Sequence, residues 1–543
     1  MKLTDLYTEK GRDAFLAAGT KLYLYDREVL KAETRKAPAW VHFGAGNIFR
    51  AFPAAVLQKL LNDGSYHKGV IVCESFDTEI IEKAYKPFDD LSLLVILKSD
   101  GSMEKEVIGS VTESFSLDNK ESEQSVTEIF KNQSLQMVSF TITEKGYAVK
   151  GEDNKLLSFV EKDLQENGFN PSHLMGKIAV LLYQRYLAGA SPIAMVSMDN
   201  CSHNGDKLRE GILTYAHEFL KRGLVEPEFI TYLENREKVS YPWSMIDKIT
   251  PRPDEGVRDL LLQEGFEEMD LIITQKNTYT SAFVNAEETE YLVIEDDFPN
   301  GRPPLEKGGI IFTDRASVDK MEKMKVCTCL NPLHTAMAIY GCLLGYTSIH
   351  QEMKDPDIAG LITRMGYEEG MPVVTDPGII SPQDFIAEVL EIRLPNPFMP
   401  DTPQRIASDT SQKLPVRFGE TLQAYLNKKE DISGLTFIPL VFAGYLRYLL
   451  GVDDNGTEFT LSPDPLLDTL QEALGDIKIG NLPDKECVAQ ITEAVLARRD
   501  IFLVDLKASG LTDKITTMFM EMCEGKKAVR STLHKYVSKL TQD

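Results

Sequence analysis

At 543 residues the chain is longer than one hydrophobic core ordinarily serves, so two domains are expected. Its 59 basic and 83 acidic side chains leave a formal net charge of −24 with no long block of one sign, which argues against nucleic acid or an anionic membrane as partner. An anionic substrate would need a local cluster of cations working against that global field. Hydrophobic residues at 43% and charged residues at 26% describe an ordinary soluble globular protein.

The N-terminal stretch MKLTDLYTEKGRDAF lacks the apolar core of a secretory signal. The seven cysteines (Cys73, Cys201, Cys327, Cys329, Cys342, Cys487, Cys523) are scattered and odd in number, which fits a reduced, cytoplasmic protein rather than a disulfide framework. Cys327, Cys329 and His334 lack the second pair of ligands that the usual zinc patterns carry, so no metal is expected. The longest apolar stretch, 435–450, holds Pro439 and Arg447 and is shorter than a membrane span; it reads as a buried helix.

Along the chain, residues 1–36 are polar and mixed and are expected to form an N-terminal extension packed on the surface. A strand at 39–43 runs into Gly44-Ala45-Gly46-Asn47-Ile48-Phe49-Arg50 and then an apolar-periodic helix to 61. That is the setting of a dinucleotide-binding turn: Gly44 allows the tight turn, Gly46 and Asn47 let backbone approach a pyrophosphate, and the helix start faces its charge. Phe49 holds the place of the third glycine, and Arg50 is a candidate to pair with a phosphate in compensation. A tight turn in an unrelated α/β protein would read the same. The next strand, 69–73, ends in Glu74 and Asp77, both candidates for the adenosine ribose hydroxyls; acidity there favours NAD over NADP.

Further strands are expected at 91–98, 106–111, 137–143 and 192–198, with a helix at 172–187, and Asn200 follows the last strand. Alternating strands and helices predict a parallel sheet with ligands outside the strand C-terminal ends. The pattern turns irregular after 241, and the proline- and glycine-rich 298–304 reads as the joint between domains. Helical periodicity then dominates to the end. The predicted fold class is α/β: an N-terminal extension (1–36), a Rossmann-like NAD-binding domain (37–297) and a mostly α-helical domain (298–543).

Near the start of that helical part, Lys325, Asn331 and His334 gather an amine, a carboxamide and an imidazole, the parts of a proton-transfer site acting on an alcohol or carbonyl. Asn331-Pro332 is equally an ordinary helix start.

Seven segments in order carry a resemblance over 36–540: VHFGAGNIFRAF (41–52), SFTITEKGY (139–147), VSMDNCSHNG (196–205), MIDKITP (245–251), VIEDDFPNGRP (293–303), KVCTCLNPLH (325–334) and NPFMPDTPQRIASDTSQKLPVR (396–417). Together they resemble the mannitol dehydrogenase family of long-chain polyol and hexuronate dehydrogenases. The resemblance implies a metal-independent, NAD-linked oxidoreductase with its site between the two domains. It makes Lys325 the general acid/base, with Asn331 and Asn200 holding the substrate oxygen and His334 binding substrate. Glu322 would gate proton exit, Asp247 falls on an active-site aspartate grouped here with the cofactor-side residues, and Arg405 and Lys413 would contact the far end of the substrate. For oxidation Lys325 must start neutral, so its site is expected to lower a pKa ordinarily near ~10.4.

The family usually has four residues between lysine and asparagine; this chain has five, and Pro332 after the asparagine. On an unbroken helix at ~100° per residue, Lys325 and His334 would point to opposite sides and Lys323 would share the histidine's face. Pro332 is expected to break the helix at Asn331 and absorb the extra residue, which keeps Lys325 ahead of its rival Lys323. Arg393, Arg405, Lys413 and Arg417 lie close in sequence and suit a carboxylate-bearing sugar. The expected substrate pair is a ketohexuronate and its aldonate, D-fructuronate and D-mannonate first, then tagaturonate or mannitol. An NAD-binding sensor without catalysis and an α/β methyltransferase are the alternatives from other classes; oligomeric state stays open.

Overall fold

The computed structural model describes residues 1–151 and 153–538. The chain divides into two compact units, Met1–Lys98 with Ser102–Asp319, and Ser99–Gly101 with Lys320–Asp543.

The first unit is built on six parallel strands: β1 (Trp40–Phe43), β2 (Val70–Glu74), β3 (Val111–Ser116), β4 (Met137–Phe140), β5 (Ile193–Ser197) and β6 (Val239–Ser240). Their spatial order is β3-β2-β1-β4-β5-β6, the Rossmann arrangement. The near-continuous apolar runs follow from this placement, because helices cover both faces of a parallel sheet. Side chains alternate between two cores: Val41, Phe43, Ile71, Val138 and Phe140 enter one, Trp40, Val70, Val72 and Met137 the other. The order reverses between β1 and β4, so a ligand crevice opens beyond the C-terminal ends of those strands.

Three boundaries differ from the sequence expectation. Residues 1–36 are part of the first unit rather than a surface extension: Thr20–Lys21 pairs in parallel with Met103–Ile108, and Leu3, Leu6 and Phe15 are buried. Buried Arg27 fixes this segment by donating to the Gly109 and Val111 carbonyls. The strand expected at 106–111 straddles two, since Met103–Ile108 closes an antiparallel hairpin with Ser92–Leu97 before the chain turns at Gly109 into β3. The proline-rich 298–304 lies inside the first unit, because Ile311–Thr313 beyond it adds in parallel to Tyr291–Glu295.

The second unit is helical. Its central helix, Asn331–Leu344, is buried along almost all its length, and Phe437–Leu449 beside it is buried at every residue. Tyr340 Oη donates to the Leu440 carbonyl at 2.7 Å, and the buried Glu369 carboxylate accepts the first N–H groups of the second helix, including Phe437 N at 2.8 Å and Ile438 N at 2.7 Å. The run Arg315–Leu344 is long and apolar enough to cross a membrane by composition, but 78% of its apolar window is buried inside the protein. Glu352 sits at the bottom of this core with neither carboxyl oxygen hydrogen-bonded, and a Cβ on Gly341 would stand 2.1 Å from its Oε1, so any side chain there would push the carboxyl aside. Burial, with Asp355 nearby, pushes the Glu352 carboxyl up to about 9.

Candidate active site

In the first unit the turn after β1 uses its two glycines differently. Gly44 has φ +108, and a Cβ there would lie 2.2 Å from the Thr141 carbonyl oxygen, so the fold itself demands glycine. Gly46 caps the helix Asn47–Ala51 with φ −73, and a Cβ there would meet nothing within 4 Å. What Gly46 preserves is open space against the turn, the room a pyrophosphate requires.

Glu74, at the end of β2, is committed to the backbone. Its Oε2 accepts Ala45 N at 2.9 Å, while Oε1 accepts Ser75 N at 2.9 Å, Phe76 N at 2.8 Å and Asp77 N at 3.3 Å. One carboxylate thus ties the glycine turn to the end of β2. Asp77 is buried and accepts the Thr274 hydroxyl at 2.6 Å. Arg50 departs from the phosphate-pairing expectation. It is fully buried, donating from Nη1 to Ser281 O and from Nη2 to Asn47 Oδ1 and Thr280 Oγ1, so its guanidinium is a structural anchor. Asn47 in turn donates to Tyr279 O at 3.3 Å.

Asn200 is exposed beyond the C-terminal end of β5. Its neighbour Asp199 locks the ends of β4 and β5 together by accepting Ile142 N, Thr143 N and the Tyr147 hydroxyl. Asp247 closes the strand Ser244–Asp247 and is buried.

In the second unit the helix Arg315–Met324 opens into a π-helical turn, Lys325–Cys329, in which Leu330 N donates to Lys325 O at 3.1 Å. The break predicted at Asn331 falls one residue earlier, at Leu330 (φ −131, ψ −63), and Pro332 sits in the first turn of the next helix. A π turn closes one residue later than an α turn, so the nine steps from Lys325 to His334 count as about eight. The fifth intervening residue is absorbed by the wide turn, not by the proline alone. Burial separates the two lysines: Lys325 is 3% exposed, Lys323 is at the surface and Glu322 is half-buried.

Asn331 and His334 share the first turn of the central helix. His334 Nε2 lies 3.7 Å from Asp401 Oδ2, and burial with nearby cations pushes the imidazole down to about 4, so it is neutral at physiological pH. Asp401 also pairs with Arg405. Arg405, Lys413, Arg417 and Arg393 all belong to this neighbourhood, since the first and the last two act on the His334 charge and Arg405 and Arg417 on that of Lys413. The Lys413 amine donates to the Ile406 and Ser408 carbonyls, and burial pushes it down to about 8. Arg417 lies in a second π turn, Pro415–Gly419, and its Nη1 donates to Thr335 Oγ1 at 2.5 Å and Asn331 O at 3.4 Å.

Asp401 and Thr335 escaped the sequence reading. Asp401 was legible only as an acid just ahead of the short helix that carries Arg405; Thr335 carried no signal beyond its place one turn after Asn331.

A six-stranded Rossmann sheet followed by a helical unit that buries a lysine on the turn leading to an amide and an imidazole defines a dehydrogenase of the two-domain, long-chain type. The chain belongs to the mannitol dehydrogenase family: the family's Rossmann domain matches residues 38–307 and its C-terminal domain residues 317–523. A D-mannonate oxidoreductase from Thermotoga maritima is 49% identical over 536 residues, 98% of each chain. Pseudomonas fluorescens mannitol 2-dehydrogenase, solved as a ternary complex with NAD and D-mannitol, matches with TM-score 0.68 at 25% identity over 99% of this chain and 100% of that one. A D-sorbitol dehydrogenase in substrate-free form has the same fold, with TM-score 0.79 at 23% identity over 95% of this chain and 98% of that one.

Proposed function

We propose that the protein is an NAD-dependent oxidoreductase that interconverts D-fructuronate and D-mannonate by a metal-independent, lysine-based proton transfer. The observation that carries this reading is the gathering of Arg393, Arg405, Lys413 and Arg417 around His334 and Asn331 in a protein of net charge −24. Such a field suits a sugar carboxylate better than a neutral polyol. The 49% identity to a D-mannonate oxidoreductase supports the same substrate pair.

The turn at Gly44–Asn47 fits a dinucleotide, with open space beside Gly46 and the start of a helix behind it. The carboxylates of Glu74 and Asp77 at the end of β2 oppose the extra phosphate of NADP, and a family relative was solved with NAD. When bound, the nicotinamide ring accepts or supplies the hydride. Lys325 takes the hydroxyl proton in oxidation and returns it in reduction; its burial, against the exposure of Lys323, favours it as the base. The Asn331 amide, with Asn200 as the first unit's candidate, donates to the oxygen as negative charge develops, and one such donor is typically worth about 3 kcal/mol. Neutral His334 orients the substrate, Glu322 passes the proton onward, and Asp247 is the first unit's remaining active-site candidate.

The test is NADH consumption with D-fructuronate, D-tagaturonate, D-fructose and fructose 6-phosphate in parallel. Fructuronate is expected to give the highest kcat/KM. Tight NADH binding without turnover of any ketose would overturn the enzymatic reading in favour of a sensor.

A further inference from the structure

Arg405 and Lys413, the cations that the sequence offers for the far end of the substrate, are both committed within the protein. Arg405 is paired with Asp401, its side chain 65% exposed, and Lys413 is turned onto two backbone carbonyls. Arg417 differs from both. Among the described residues it has no carboxylate partner, and its hydrogen bonds leave from Nη1 alone. The Nε and Nη2 donors therefore remain available on a half-buried side chain that has no carboxylate partner among the described residues, open to an anion that would displace water from them. Its position is also fixed. Thr335 Oγ1 accepts from Arg417 and donates to Asn331 O at 3.0 Å, so the guanidinium is held to the turn of helix that carries the Asn331 amide and His334. The planar fork presents two parallel N–H groups, the geometry a carboxylate accepts in bidentate fashion.

We infer that Arg417 is the residue that selects a carboxylate-ended ketose over a neutral one, receiving the carboxylate on its Nε/Nη2 edge one helical turn from the Asn331 amide. The inference rests on the proposed function and adds to it the discriminating contact. Arg405 and Lys413 contribute field and hold the loop; Arg417 makes the directed bonds.

The variants R417Q, R417K and T335V are assayed as NADH-saturated enzymes with D-fructuronate and with D-fructose. In R417Q the ratio of the two kcat/KM values should fall roughly 100-fold, carried mainly by a rise in the fructuronate KM, because the directed pair with the carboxylate is lost. R417K should recover part of the ratio, since it restores charge without the fork. T335V keeps the guanidinium but removes its anchor, and should shift the ratio the same way by less. If R417Q fails to fold by circular dichroism, R417K and T335V still decide. An R417Q that slows both ketoses equally, or leaves the ratio unchanged, overturns the assignment of Arg417 while wild-type fructuronate turnover leaves the proposed function standing. A wild-type enzyme that turns over fructose but not fructuronate overturns both.

Discussion

Glu352 allows a quantitative test of how the second unit is held together. Its carboxyl is fully buried against Gly341 with both oxygens unpartnered, and its pKa stands at about 9 against an ordinary 4.5. Because the folded-state value is the higher, the folded protein keeps a proton that the unfolded chain releases between about pH 4.5 and about pH 9, and stability falls as pH rises through that window. Each pH unit costs about 1.4 kcal/mol, so the group costs on the order of 3 kcal/mol at pH 7 and less than 1 kcal/mol at pH 5. Glu352→Gln removes the titration, and Glu352→Met removes the orphaned oxygens as well. Scanning calorimetry of wild type and both variants at pH 5, 6.5 and 8 compares differences, in which all other titrations cancel. The variants' advantage should be near zero or slightly positive at pH 5 and reach on the order of 10 °C at pH 8. An offset that does not change with pH would refute the reasoning, since it would mean that the carboxyl is ionised in the fold or has found a partner.

Other outcomes follow from the site. Lys325→Ala should nearly abolish turnover while NADH affinity, read by its fluorescence, is retained; Lys323→Ala should stay active, and the opposite result would make Lys323 the base. Gly44→Ala and Gly46→Ala should separate folding from cofactor binding. The first should lower the melting temperature, because a Cβ would press on Thr141 O, whereas the second should melt like wild type and bind NADH at least about tenfold more weakly. Lys413, pushed down to about 8 by burial, carries its charge below that pH and loses it above. The KM for fructuronate should therefore rise between pH 7 and pH 9 while that for fructose stays level, and Lys413→Met should remove the rise.

The Rossmann sheet was legible because buried parallel strands write themselves as unbroken apolar runs, Trp40–Phe43 and Val70–Glu74 above all. The glycine turn was legible because a positive φ, as at Gly44, is a preference written in the residue itself, although the Thr141 carbonyl that also demands glycine there is not. What a charged side chain does is not local. Arg50 next to a glycine turn reads alike whether it faces a phosphate or, as here, the carbonyl of Ser281 more than two hundred residues away. Glu74 reads alike whether its oxygens meet a ribose or four backbone N–H groups. The first 36 residues look like a tail because charged side chains are dense among them; the hydrogen bonds from Arg27 and the pairing of Thr20–Lys21 that make them structural involve partners far along the chain. The spacing from Lys325 to His334 was flagged as anomalous, and the flagged proline does mark a helix start. A fixed 100° per residue has no place for a wide turn or for the break at Leu330, however, so the wheel does not apply across this segment.

Wide turns recur in the second unit: among its described residues π turns span Lys325–Cys329, Met365–Gly370, Val389–Arg393 and Pro415–Gly419, and three of them carry Lys325, Arg393 and Arg417. Each holds one residue more than the α-helix it interrupts. Losing that residue would close the wide turn to an ordinary α turn and leave the helix beyond it facing as it does, so the change would fall on the side chains of the turn itself, these cations among them. Insertion and deletion, rather than substitution, are then the changes to which the aim of these three cations is most sensitive. Among relatives, single-residue gaps at these turns are where a redirected substrate pocket would be written.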